Sequence, residues 1–196
     1  MTHVLFQDDE LFIPDMTDEE FLEFCVQNRD HRIERTAEGK VIVMSATGGT
    51  TGSRNQRIAR QLGNWAEQDG RGEAFESSSG FRLPNTAIRA PDAAWVAHSR
   101  LAQLSEEQKD LFAPLCPEFV IELLSPSDRL AEVKLKMTDY MANGCELGWL
   151  IDPDNRRVIV YRTSGTETLA APDQLVGEGH VAGFVLDMMR IWDPGW

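Results

Sequence analysis

Cysteine is scarce in this 196-residue chain: Cys25, Cys116 and Cys145 are far apart and odd in number. They form no CxxC pair, which argues against a disulfide framework or a thiolate zinc site. Free thiols accord with a cytoplasmic location. No apolar run approaches the length of a bilayer span. The opening MTHVLFQDDELFIPD has neither the basic n-region nor the apolar h-region of a secretory signal. Basic charge is also in short supply. Nineteen Lys and Arg face 32 Asp and Glu, a formal charge of −13. That argues against a protein that coats nucleic acid with a broad basic surface, although a local basic groove remains open. No GxSxG nucleophile elbow is present. TGGTTGS (residues 47–53) lacks the Lys-Ser/Thr ending of a phosphate-binding P-loop and reads as a glycine-rich loop. His3, His31, His98 and His180 show no metal-ligand spacing. Trp65, Trp95, Trp149, Trp192 and Trp196 sit mostly at core periodicity and make no base-stacking platform.

What is present reads as one domain over residues 1–196. Hydrophobic residues make up 42% and charged residues 26%, an ordinary balance for a soluble domain with its own core. Thr17-Asp18-Glu19-Glu20 has the form of a capping box and opens a helix to about Asp30, within an N-terminal extension over residues 1–30. RIERT and KVIVMSA flank AEGK and predict a hairpin turning at Gly39. From Ser53 to about Asp69, Ile58, Leu62 and Trp65 fall at helical spacing. GEAFESSSGFRL and TAIRAPDAAWVA are expected to pair. Ser105 to Gln108 forms a second capping box. EFVIELL (118–124) has the apolar run of a central strand. A helix from about Ser127 to Asn143, stopped by Gly144, follows it. ELGWLIDP and RRVIVYRT flank DPDN as another hairpin. The expected fold is α/β, a central mixed sheet flanked by helices.

Two carboxylates interrupt these apolar runs: Asp92 in IRAPDAAWVA and Glu122 in EFVIELL. A buried carboxylate is costly unless it is paired or binds a metal. Each residue alone reads as a member of an ordinary ion pair or as a strand-end cap. Brought together by neighbouring strands, they would form an oxygen-ligand site suited to Mg²⁺ or Mn²⁺. Such a site needs a cation to orient a water or to offset developing negative charge. Two positions beyond Glu122 stands Leu124, not lysine. On the next helix, Leu130, Val133, Met137 and Tyr140 mark an apolar stripe, and Lys136 borders it. Lys134 lies about 200° around the helix from it. Lys136 can therefore lean toward the sheet. Equally, it can pair with Glu132 at i, i+4, worth only ~0.3–0.5 kcal/mol. Arg54, Arg57 and Arg60 form a helical stripe after the glycine-rich loop, either a solvated face or a contact for nucleic-acid phosphates.

Beyond this point the chain resembles a known family. PD followed by a hydrophobic strand carrying Glu resembles the PD-(D/E)XK nuclease superfamily. GKVIVMSATGG, FRLPNTAIRAPDAAWV, FVIELLSPSDR, KMTDYMANG, LGWLIDP and RVIVYR, in that order, are similar to the Uma-two family of restriction-endonuclease-like proteins, long carried as a domain of unknown function. The resemblance runs from about Arg32 to the C-terminus. It implies a restriction-endonuclease-like core, Asp92 and Glu122 as metal ligands, and a catalytic lysine moved from strand to helix onto Lys136. Glu34 matches an acidic position of the pattern and becomes a fourth candidate, against its reading as a solvated strand residue. The leading expectation is a Mg²⁺- or Mn²⁺-dependent endonuclease acting on DNA, for which a homodimer would serve double-strand cutting. Against it stand a nuclease-fold interaction protein without turnover and a hydrolase of small phosphorylated molecules.

Overall fold

A computed structural model of the chain describes residues 10–12, 16–44 and 46–195; His3 and Trp196 lie outside them, as do most of the opening residues read above. The central layer is a six-stranded mixed sheet. Its strands are β4 (Gly72–Glu76), β7 (Ala93–Ala97), β8 (Phe119–Leu123), β9 (Leu147–Asp152), β10 (Arg157–Arg162) and β11 (Gly165–Ala170), in the order β11-β10-β9-β8-β7-β4. Only β8 and β9 run parallel. Helix α5 (Leu130–Ala142) makes the crossover between them, the connection a parallel pair requires.

Side-chain parity along β7 and β8 divides the core. Ala93, Trp95, Phe119, Ile121 and Leu123 pack with Ile58 and Leu62 of helix α2 (Gly49–Asp69). Ala94, Val96 and Val120 pack with Met137 and Tyr140 of α5. The sheet is thus covered on both faces, as the unbroken apolar character of β8 requires. Gly148 lets α5 lie close, because a Cβ there would fall 2.4 Å from the Met137 methyl carbon. Gly144, just past the Asn143 cap of α5, has a φ of 103° that suits glycine.

A second sheet carries β1 (Glu10–Phe12), β2 (Arg32–Arg35), β3 (Lys40–Met44), β5 (Phe81–Arg82) and β6 (Ile88–Arg89), in the order β1-β3-β2-β6-β5. Helix α1 (Asp18–Gln27) starts at the expected capping box, with Thr17 and Glu20 each accepting the other's backbone N–H. The β2–β3 hairpin turns at Gly39 as the sequence predicts. The predicted pairing of GEAFESSSGFRL with TAIRAPDAAWVA is divided between the sheets. β4 joins β7 in the large one, while β5 joins β6 in the small one. The chain crosses from one sheet to the other in three residues, Ala90-Pro91-Asp92. That short crossing sets β2 of the small sheet beside the start of β7.

Two local expectations change. Asp92 stands just before β7 rather than inside it. The glycine-rich run is also half helical: α2 begins at Gly49, four residues earlier than its apolar periodicity indicates. No described helix is long and apolar enough to cross a membrane.

Candidate active site

Ala93 pairs with Ile121 in the antiparallel β7–β8 ladder, so one step farther out Asp92 stands opposite Glu122. Both have the even parity that faces α5. The Leu123 N–H donates to Asp92 Oδ2 at 2.8 Å, which ties the two strand ends together. Asp92 and Glu122 are 7% and 5% exposed. Two buried carboxylates this close repel each other unless cations or donors reach them.

Both kinds of partner arrive from neighbouring elements. Arg32 of β2 donates from Nη1 to Asp92 Oδ1 at 2.7 Å. Asn55 of α2 reaches the same oxygen from Nδ2 at 3.4 Å. From α5, Lys136 Nζ lies 2.7 Å from Glu122 Oε1 and 2.7 Å from Glu34 Oε1. It also donates to the Ala90 carbonyl at 3.3 Å. The contacts to Glu34 and Ala90 are hydrogen bonds, and that to Glu122 is an ion pair. Tyr140, one helical turn on, donates its hydroxyl to Glu122 Oε1 at 3.1 Å.

Glu34 is no solvated strand residue. It is 2% exposed and accepts from the Ala90 N–H at 3.1 Å and from Arg89 at 3.4 Å. Arg89 is held in turn by Asp139 of α5 at 3.0 Å. The result is a branched chain of ion pairs joining both sheets and α5. Glu132 does not take Lys136; it lies 3.4 Å from Arg129. Lys134 is exposed, as its helical phase requires.

Burial and charge set the protonation states. Burial pushes the Glu122 carboxyl up to about 7, with Lys136 opposing that rise and the Asp92 and Glu34 charges adding to it. Burial also works against the charge of Glu34, but Lys136, Arg32 and Arg89 outweigh it and hold Glu34 below the usual range. One lysine shared by two glutamates therefore satisfies them unequally. Lys136 is itself held above its ordinary value: burial lowers it, and Glu122 and Glu34 more than restore it. It is an ammonium at neutral pH.

The cluster lies in a cleft of about 1230 Å³. Thr47 to Thr51, around the N-terminus of α2, form part of its wall. The charged lining is mainly acidic. Asp30, Glu38, Asp128 and Glu132 are exposed on it, and Glu34, Asp92, Glu122 and Asp139 stand deeper, against Arg32, Lys40, Arg89 and Lys136. Among the described residues no three or more His, Cys, Asp or Glu gather as a ready-made metal cage. A cation here would rest on the two carboxylates of Asp92 and Glu122, with water and substrate completing its shell. That is an arrangement hard cations such as Mg²⁺ accept.

This chemistry, two carboxylates and a lysine at a sheet end, is the arrangement expected from PD followed by a Glu-bearing strand. A family model described as "Uma2: Putative restriction endonuclease" matches residues 18–189. The chain belongs to the Uma2 family. It is also similar in structure to a solved protein from Anabaena variabilis ATCC 29413, described as "a putative nuclease belonging to DUF820". The TM-score is 0.69 at 25% identity, over 82% of this chain and 89% of that one. No curated protein matches the chain. The restriction-endonuclease-like α/β core expected of Uma2 proteins is the fold found.

The arginine stripe of α2 has partners within the chain. Arg54 donates to the Ile191 carbonyl at 2.8 Å, and Arg57 to the Pro194 carbonyl at 3.2 Å. Both fasten the C-terminal segment to α2, and only Arg60 of the three is exposed. None of them lines the cleft. Arg32, Asn55 and Arg89, by contrast, carry no mark in the sequence beyond their neighbours. Arg32 and Glu34 stand two apart in β2 and so share a face. Arg89 precedes the PD pair by two positions. Tyr140 reads as apolar stripe, and its i, i+4 spacing from Lys136 is the one hint of its polar role.

Proposed function

We propose that this protein is a divalent-metal-dependent endonuclease that hydrolyses DNA phosphodiester bonds, with Asp92 and Glu122 holding Mg²⁺ or Mn²⁺. The observation that carries this reading is the convergence of Asp92, Glu122 and the displaced Lys136 on one cleft. The carboxylate pair supports it further. Glu122 is under-compensated by the protein's own cations, and its hard oxygens match these metals. A bound divalent cation would polarise the scissile phosphate and make its water more acidic.

The chain's residues would do the rest. Lys136 is a firm ammonium and so cannot take the proton of the attacking water. Its role is to donate a hydrogen bond to that water or to the phosphate as negative charge develops. Of its three contacts, the 3.3 Å bond to Ala90 O is the longest and the first available for exchange. Glu34 keeps Lys136 aimed at Glu122. A double-strand cut would require two such sites, as in a two-fold homodimer. The free Cys25, Cys116 and Cys145 suit a reducing cytoplasm.

A nuclease-fold binding protein without turnover is the second reading, favoured by the acidic cleft. The two readings part on one assay. Wild-type protein should nick or linearise plasmid DNA with Mg²⁺ or Mn²⁺ and stop with chelator, and Asp92→Asn should remove the activity under all conditions. Wild-type protein that binds Mn²⁺ but cleaves no DNA, double- or single-stranded, would favour the second reading.

A further inference from the structure

Arg32 presents an arrangement that the metal-and-lysine site does not require. Its Nη1 donates to Asp92 Oδ1 at 2.7 Å, and its Nη2 donates to the Ala90 carbonyl, the same oxygen that Lys136 reaches. Its Nε is buried and has no hydrogen-bond partner among the described residues. Guanidinium offers five donors in a planar fork, and a buried donor left empty is uncommon. The side chain is 26% exposed and lines the cleft, so this fork borders the space where a substrate would enter.

The charges of the cluster show why Arg32 has two possible partners. With Glu122 ionised, Glu34, Asp92, Glu122 and Asp139 outnumber Arg32, Arg89 and Lys136 by one. A divalent cation on Asp92 and Glu122 reverses that balance to an excess of one positive charge. It would also draw on the Asp92 carboxylate, whose Oδ1 Arg32 holds. A metal on that carboxylate would weaken it as an acceptor, which frees the guanidinium for another. The anion that restores neutrality is a single phosphodiester, and planar forks fit its two non-bridging oxygens.

Resting on the nuclease reading, we propose that Arg32 is a further catalytic residue. It holds Asp92 while the site is without metal, and once the metal takes Asp92 it turns its fork to the phosphodiester of the substrate. Arg32 thereby competes with the metal in the free protein and assists it in the complex.

The test measures Mn²⁺ affinity by titration calorimetry without DNA, cleavage of plasmid DNA, and thermal melting, for wild type, Arg32→Ala and Arg32→Lys. Removing the competing cation should leave Mn²⁺ affinity in Arg32→Ala unchanged or tighter, while cleavage falls by about 100-fold, the usual cost of one transition-state donor. Arg32→Lys keeps the charge without the fork. It should melt like wild type and still lose at least about tenfold in cleavage. If Arg32→Ala does not fold, Arg32→Lys decides alone, and wild-type cleavage in it overturns the proposal. Weaker Mn²⁺ binding in Arg32→Ala also overturns it, since Arg32 would then merely hold Asp92 in position. Wild-type protein that binds no Mn²⁺ removes the metal site and this proposal with it. Normal cleavage in Arg32→Ala removes this proposal alone and leaves the nuclease reading standing.

Discussion

Lys136→Arg should fold and melt like the wild type yet cleave DNA about 100- to 1000-fold more slowly, the range for losing one aligned donor to a developing charge. Lys136 Nζ sits between Glu34 and Glu122 at 2.7 Å from each. A guanidinium can keep both ion pairs, but its rigid plane cannot reproduce three donors diverging from one nitrogen. Lys136→Ala should lose as much activity and also stability, because it leaves two buried carboxylates without their shared cation. Breaking a buried pair in this way costs on the order of 3–5 kcal/mol. Lys134→Ala should change neither property, since that side chain is exposed on the opposite side of α5. Cleavage rates and melting curves of the three variants check this. Equal losses at positions 134 and 136, or full activity in Lys136→Arg, would remove Lys136 from the chemistry.

Glu122→Gln should raise the melting temperature of the metal-free protein at pH 8, and the gain should shrink toward pH 5. Burial raises the folded-state carboxyl from the ordinary 4.5 to about 7. A carboxyl raised by folding contributes stability below about pH 4.5 and loses it as pH rises through about 7. At pH 8 the wild type therefore carries the whole cost of a buried, under-compensated charge, and glutamine does not. At pH 5 both folded side chains are neutral and most of the difference closes. Glu34 works in the opposite sense. Held low, it stabilises above the ordinary carboxylate range and is lost as pH falls. It is present in both proteins, so the comparison cancels most of it. Each kcal/mol recovered should appear as about 2–4 °C. With Mn²⁺ the order should reverse, because only the wild type gains by binding metal to its folded state. Melting curves at the two pH values, with chelator and with Mn²⁺, read all four cases. A lower melting temperature for Glu122→Gln at pH 8 in chelator would mean that Lys136 and Tyr140 fully satisfy the carboxylate and that it is an ordinary structural ion.

The same geometry moves the strain to one member of the pair. From sequence, Asp92 and Glu122 are equivalent, and neutralising Asp92 is expected to relieve their repulsion. The structure gives Asp92 an arginine, an amide and a backbone N–H, while Glu122 shares its lysine with Glu34. That asymmetry depends on β2, which belongs to another sheet and whose Arg32 lies 60 residues from Asp92. Local pattern carries no trace of such a contact. What local pattern does carry is considerable. Periodicity in α5 places Lys136 on the sheet side and Lys134 away, and the apolar run of β8 marks a strand covered on both faces. Capping boxes locate α1 at Thr17 and a short helix at Ser105. The partners of the α2 arginines are hidden from the sequence for the same reason as those of Arg32. Helical phase says which way Arg54 points, but the C-terminal segment it meets lies 137 residues away.

The most direct measurement is the anomalous difference density of crystals soaked in Mn²⁺. A peak bound by carboxylate oxygens of both Asp92 and Glu122, with Arg32 withdrawn from Asp92 Oδ1, is the predicted result. Mn²⁺ sites elsewhere on the protein, with Arg32 still on Asp92 and no density between the two carboxylates, would contradict it.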